Sequence, residues 1–110
     1  MTAYAIAQVN SVRFNAEIVE YLLRIDATLD PFGGRFIVHA PKDLRVMEGT
    51  WGDAGTIVIE FPSMDAAAAW WDSPAYGEIL PLRTRHMDAD IILVEGVPAG
   101  YRAEHGVKEQ

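Results

Sequence analysis

The chain has no cysteine. Disulfides and thiol chemistry are therefore excluded, and a reducing compartment is the expected setting. Long apolar runs are missing too, since no segment approaches the ~20 residues that a membrane-spanning helix needs. The N-terminus lacks the basic start and apolar centre of a signal peptide and runs directly into a strand pattern, so a cytoplasmic protein is expected. Positive charge is scarce: nine Lys and Arg stand against sixteen Asp and Glu, a formal net charge of −7. That balance argues against nucleic acid, whose phosphates need a basic surface, and against anionic membranes. The three histidines are scattered. With no paired His or Cys ligands, no metal site is expected. The segment Gly49-Thr50-Trp51-Gly52 lacks the lysine and the helix of a phosphate loop, and no serine sits in a nucleophile elbow. No cofactor is expected.

What is present fits one globular domain. Half of the 110 residues are hydrophobic, a value for a packed core and not for a disordered chain. A domain of this length buries roughly 65% of the surface its unfolded chain exposes. It is expected to be too small to combine a full core with a large internal pocket.

Four segments read as strands: Tyr4 to Asn10, Arg35 to Ala40, Thr56 to Phe61 and Asp90 to Glu95. Side chains alternate across a strand. One set of positions is apolar throughout: Ala5, Ala7 and Val9, then Phe36, Val38 and Ala40, then Ile57, Ile59 and Phe61, then Ile92 and Val94. The other set mixes apolar and polar groups, with Ile6, Gln8, Asn10, Arg35, Ile37, His39, Val58, Glu60, Ile91, Leu93 and Glu95 among its members. Asn15 is a good N-cap for a helix whose apolar stripe is Ile18, Leu22, Ile25 and Leu29. Pro31 and Gly33-Gly34 end it. Leu44 to Thr50 continues the second strand or forms an extended arm, and Gly52 to Gly55 makes a turn. Ser63 caps a second helix to about Asp72. Ser73-Pro74 starts a third that runs to about Arg85, with a kink expected at Pro81.

The order β-α-β-β-α-β is the split β-α-β pattern of an α+β, ferredoxin-like fold. The crossovers are expected to set strands 1 and 3 side by side and parallel, with strands 4 and 2 at the edges. Both helices then cover the apolar face, and Ala5 and Ala7 let them approach closely. The mixed face is left bare within one subunit. A bare apolar patch of that size calls for a second copy packed sheet to sheet, so the expected partner is the chain itself. Residues 1–97 form this domain, and residues 98–110 form a tail whose tip is expected to be mobile.

The sequence resembles small bacterial proteins of domain-of-unknown-function family 1330, in the dimeric α/β-barrel superfamily. The carrying segments are Gly33-Gly34-Arg35-Phe36, Val46-Met47-Glu48-Gly49-Thr50-Trp51, Ile57 to Ser63, Trp70-Trp71-Asp72-Ser73-Pro74-Ala75-Tyr76, Leu80-Pro81-Leu82-Arg83 and Ile92 to Gly96. The usual Asp-Pro start of the first helix is replaced by Arg13-Phe14-Asn15-Ala16, and the tail after Val97 is longer than the family core. The resemblance implies a ferredoxin-like protomer and a two-subunit barrel, with no established activity. Superfamily members include cofactor-independent monooxygenases, haem-degrading oxygenases, lactone isomerases and ligand-binding modules, and fold alone does not choose among them.

The candidate site is a cleft on the mixed face. Gln8, Asn10, Arg35 and Glu60 are expected to cluster at one end of it. The plainer reading is an Arg35–Glu60 ion pair that sets dimer register, because buried charges are paired. The functional reading makes Glu60 a carboxylate base that removes a proton next to a carbonyl, with Arg35, Gln8 and Asn10 binding substrate. His39, farther along the second strand, is a second acid–base candidate. His86 follows the third helix and caps its end. Trp51 can wall a pocket. Of the adjacent pair, Trp71 is expected in the core and Trp70 at an edge. Two functions follow: a cofactor-independent enzyme, isomerase or monooxygenase-like, acting on a small organic molecule; or a non-catalytic dimeric ligand-binding or stress-associated module.

Overall fold

Short-range signals set the element boundaries. The computed structural model describes residues 1–52 and 54–107. Asp53 of the expected turn and residues 108–110 of the tail lie outside the described residues. The elements are β1 (Ala3–Val12), α1 (Ala16–Leu29), a 3-10 turn over Asp30–Phe32, β2 (Arg35–His39), β3 (Thr56–Phe61), α2 (Met64–Trp71), α3 (Pro74–Thr84), β4 (Met87–Glu95) and α4 (Ala103–Val107). Asn15 caps α1 by accepting hydrogen bonds from the amides of Glu17 and Ile18, each 3.1 Å long. Ser63 accepts from Ala66 and Ser73 from Tyr76, which start α2 and α3. The helix α3 continues through Pro81 to Thr84. Residues 44–50 form an irregular arm and no strand. Among the described residues no helix is long and apolar enough to cross a membrane.

The sheet order is β2-β3-β1-β4, with every neighbouring pair antiparallel. This is the α+β, ferredoxin-like arrangement. The expected parallel pairing of strands 1 and 3 is wrong. The connection through α1 makes β1 and β2 the parallel pair, one strand apart, and β3 returns between them antiparallel to both. Gln8 therefore faces Thr56 across the sheet, while Tyr4 faces Glu60.

Two of the expected strand faces are also corrected. In β2 the pairing passes from Phe36–Ile59 to Val38–Val58, so Ile37 is the extra residue of a bulge. Past the bulge the alternation inverts: Val38 joins the open face, and His39, opposite Ile57, joins the helix-covered face. In β4 Leu93 pairs with Ala5 and Ile91 with Ala7, on the helix side. Ile92 and Val94 pair with Ile6 and Tyr4 on the open side. The unbroken run Ile91-Ile92-Leu93-Val94 carries no alternation, so its phase could not be read from the sequence. Strand β4 also begins at Met87, three residues before the expected start.

The core lies between the sheet and the helices. It holds Ala3, Ala5, Tyr21, Ile25, Leu29, Ile59, Phe61, Ala67, Trp70, Tyr76 and Ile79. Trp70 is buried and Trp71 only partly so, the reverse of the expectation. Trp70 follows the fully buried Ala67 at helical spacing, and its indole Nε1 donates to Thr28 Oγ1 over 3.0 Å. Gly34 marks the tightest contact: a Cβ there would sit 2.7 Å from Phe61 Cε1 and 2.9 Å from Leu29 Cδ2.

Candidate functional site

The residues singled out on the mixed face fall into two groups and one outlier. Arg35 and Glu60 are cross-strand partners at one end of the open face. The guanidinium donates to Glu60 Oε1 through Nε (3.2 Å) and Nη2 (2.9 Å). The pair is solvated, with side chains 69% and 25% exposed. Gln8 and Asn10 lie at the opposite end. Gln8 is four positions along β1 from Tyr4, a distance of about 13 Å along a strand. The expected four-residue cluster therefore does not form, because an antiparallel β1–β3 pair runs its polar ends apart.

Gln8 and Asn10 instead meet the arm. Asn10 Nδ2 donates to Asp90 Oδ2 over 3.1 Å. The Gly52 backbone passes so close that a Cβ there would lie 3.1 Å from Gln8 Nε2. Trp51 Nε1 donates to Thr56 Oγ1 over 3.0 Å, which folds the arm onto the open face. Beneath the arm is a hollow of about 480 Å³ walled by Leu44, Val46, Met47, Glu48, Trp51 and Thr56. It is open to solvent on the Met47 side.

His39 is the outlier. The bulge at Ile37 turns it to the helix side, where its ring meets Phe36 edge to face at 5.0 Å. There it stands at the rim of a second cavity, which the sequence did not announce. This cavity, about 230 Å³, lies inside the protomer between the sheet and the helices. Its floor is Ala5, Ala7, Val9, Ile57, Ile59 and Ile91, and Ile18, Leu22 and Ile25 of α1 roof it. Trp70, Trp71 and Tyr76 form one wall. A domain of 110 residues thus combines a packed core with a cavity of modest size.

Four lining groups are polar: Tyr21, Tyr76, Arg83 and His39. The hydroxyls of Tyr21 and Tyr76 share a hydrogen bond of 2.9 Å, and their rings meet edge to face at 6.2 Å. Burial, with a smaller contribution from Tyr76, pushes the Tyr21 phenol well above the usual tyrosine range, while Arg83 acts in the opposite direction. The Tyr21 phenol is therefore neutral across all ordinary pH. Arg83 stacks on Tyr21, its guanidinium carbon 5.9 Å from the ring centroid. The arginine is only 7% exposed. Its Nε is buried without a hydrogen-bond partner among the described residues.

Arg83 and Tyr21 lie outside the residues expected on the mixed face, yet their helical phase carries a signal. Tyr21 lies between Ile18 and Ile25, and Arg83 follows Tyr76 and Ile79 at helical spacing. An arginine in phase with an inward stripe is a buried charge.

The cavity's rim near the start of α1 is braced by a charge cluster. Glu17 accepts from Arg85 Nη1 at 2.8 Å and bonds His86 Nε2 at 2.7 Å. The His86 bond, followed by the Arg85 charge, holds the Glu17 carboxyl below the usual range against some desolvation. The His86 side chain thus ties the start of β4 to α1, while its backbone N–H donates to the Arg83 carbonyl in the last turn of α3 over 3.1 Å. Arg13 closes the same corner by donating to the Arg85 carbonyl at 2.8 Å.

Comparison with solved structures finds the same fold in other small proteins. A protein of unknown function from Rhodopseudomonas palustris, RPA0582, shares 14% identity at a TM-score of 0.65, over 88% of this chain and 83% of its own. A dimeric ferredoxin-like protein of unknown function from Jannaschia shares 12% identity at a TM-score of 0.64, over 87% and 100% of the two chains. A variant of SnoaB, a cofactor-independent oxygenase from Streptomyces nogalater, shares 15% identity at a TM-score of 0.59, over 92% and 98%. At these identities the likeness shows the fold alone. A search of curated proteins finds no match. Residues 2–97 match one family over nearly the whole domain, and the chain belongs to that family, Domain of unknown function (DUF1330).

Proposed function

We propose that this protein is a homodimer in which each protomer takes a small, largely apolar organic molecule into its internal cavity and acts on it by proton transfer without a cofactor. The cavity carries this reading. It is apolar on nearly every side, with a few polar groups in its lining, the build of a small-molecule site. At about 230 Å³ it exceeds the ~150 Å³ that holds benzene and falls short of the ~300 Å³ at which drug-sized sites begin. One or two fused rings fill it.

His39 at the rim serves as the base, taking a proton from a carbon next to a carbonyl. The buried Tyr21–Tyr76 pair, with the Tyr21 phenol held neutral by burial, donates a hydrogen bond to the oxygen on which charge develops. Returning the proton to another carbon completes an isomerisation, and the same carbanion is the starting point for reaction with dioxygen. The cofactor-independent oxygenase among the fold relatives supports this class of chemistry.

The open face supports the dimer. Ile37 and Ile92 are 43% and 53% exposed there, beside Ile6, Val58 and Val94, and such a patch is covered in a stable protein. The dimeric ferredoxin-like relative is consistent with this. Arg35 and Glu60 then set the register of the two sheets, Trp51 walls the hollow beside the seam, and Gln8 and Asn10 lie against the arm at Gly52. On this reading Glu60 is a structural partner and His39 the catalytic group.

Titration with 1-tetralone, a two-ring ketone with an acidic α-proton, tests the proposal. Quenching of tryptophan fluorescence is expected, since Trp70 and Trp71 wall the cavity. Ala7→Phe, which fills the floor, should remove it. Exchange of the α-proton for deuterium, followed by NMR, should run faster with protein than in buffer and fall back with His39→Ala. Unaltered quenching in Ala7→Phe rejects the cavity as the site. Binding without exchange identifies the protein as a ligand-binding module.

A further inference from the structure

Arg83 has a partner problem that no other arginine in the chain shares. Of the seven arginines, Arg24, Arg35, Arg45, Arg85 and Arg102 each meet a carboxylate. Arg13 donates to a backbone carbonyl. All six lie in more solvated positions than Arg83, the one arginine that is buried. Among the described residues Arg83 pairs with no carboxylate, and its Nε meets no acceptor. Its companions are the Tyr21 ring and a cavity with almost no polar surface.

A guanidinium in such a place is costly. It stays charged at every relevant pH and cannot shed its proton to escape burial. The aromatic face of Tyr21 compensates in part, but it leaves the buried Nε without an acceptor, and a buried donor without an acceptor is strongly disfavoured. A leucine or methionine at position 83, in phase with Tyr76 and Ile79, would extend the core. An arginine makes sense when the acceptor arrives with the ligand.

We propose that the cavity ligand is an aromatic carboxylate, with Arg83 as its anion receptor. The planar fork of arginine matches the two oxygens of a carboxylate, and the bond strengthens where water is excluded. The ring system then lies along Trp70, Trp71 and the alanine floor, as an apolar body with a single charged end. The inference rests on the proposed cavity site and adds the charge and class of what enters it.

A pair of isosteric probes separates the two claims. 1-Naphthoate and uncharged 1-naphthamide have the same ring system and nearly the same size. In wild-type protein the carboxylate should bind at least about tenfold more tightly by calorimetry, the increment of one charge-assisted bond or more. In Arg83→Gln the preference should vanish through loss of naphthoate affinity, with naphthamide shifted less than twofold. Arg83→Lys should retain part of it. Equal binding of the two probes to wild-type protein overturns the anion receptor while leaving the cavity site in place. That comparison needs no variant, so it decides the matter even if Arg83→Gln fails to fold. Failure of both probes to bind overturns the cavity site as well. A naphthoate preference that persists in folded Arg83→Gln assigns the charge to another residue and overturns the role given to Arg83.

Discussion

The Tyr21 hydroxyl lies 2.9 Å from the Tyr76 hydroxyl, a single buried hydrogen bond that joins α1 to α3 beside the cavity. Removing one partner leaves the other hydroxyl buried without an acceptor or donor. Tyr21→Phe and Tyr76→Phe should each lower stability by about 1–3 kcal/mol. The double variant should lose less than the sum, because it leaves no orphan. Urea denaturation of the three variants and the parent measures the coupling.

The same bond predicts behaviour in alkali. The Tyr21 phenol is raised above its ordinary value of 10.0 by burial first, then by Tyr76. Above that value the unfolded chain releases the proton and the folded chain keeps it. The stabilisation is therefore fully present below pH ~10 and is lost as pH rises further. Spectrophotometric titration of the four tyrosines should show Tyr21 ionising only as the protein unfolds. A Tyr21→Phe variant should lose that late step from the ultraviolet signal.

At the acid end the relevant group is Glu17. Its carboxyl is held below the ordinary 4.5 by the His86 bond first. The unfolded state binds a proton before the folded one does. The contribution is thus present above the unfolded value and fades as pH falls through the folded one. Glu17→Gln should melt at a lower temperature than wild type near neutrality, with the gap closing below about pH 4.5. Melting curves of both proteins between pH 3 and 7 check the sign. Because Glu17 is partly solvated, the effect should be a few degrees and should shrink in high salt.

How much of this could be read from the sequence depends on whether the signal was local. The caps at Asn15, Ser63 and Ser73 each act within three residues, and the strand Thr56–Phe61 is bounded by Gly55 and Pro62. All of these were legible, as was the β-α-β-β-α-β order. What failed depended on counting across a bulge or through a run without alternation. Ile37 is an ordinary strand residue in every local respect, yet as a bulge it sends His39 to the cavity side. Asn10 occupies a second irregularity, between Val9 and Ser11. Adjacent Trp70 and Trp71 gave no phase of their own. The cavity was illegible for a different reason. It depends on the sum of small side chains from β1 and large ones from α2 and α3, a volume and not a motif.

Gly34 offers a test of how tightly the end of the sheet is packed. A methyl group there would press on Phe61 and Leu29 at 2.7 and 2.9 Å. Both neighbours are buried, at 0% and 1% exposure, so neither can swing into solvent. Gly34→Ala should therefore destabilise by about 1–3 kcal/mol, as overpacking does. The lower entropy of the unfolded alanine chain offsets less than 1 kcal/mol of that. Denaturant midpoints of the two proteins give the answer.

The phase of β4 makes the sharpest distinction, because neighbouring residues of similar chemistry face opposite layers. Ile92 pairs with Ile6 on the open face, and Leu93 pairs with Ala5 under the helices. A carboxylate in place of Leu93 would be buried against an apolar core, so Leu93→Asp should cost 3 kcal/mol or more and leave little folded protein. A carboxylate in place of Ile92 meets solvent in an isolated protomer. If the open faces of two copies pack together, that carboxylate is buried at the seam in both copies at once. Ile92→Asp should then keep its circular dichroism spectrum and sediment as a monomer where wild type sediments as a dimer. An Ile92→Asp protein that remains dimeric would place the subunit contact away from the sheet. The exposed isoleucines would then need another partner to cover them.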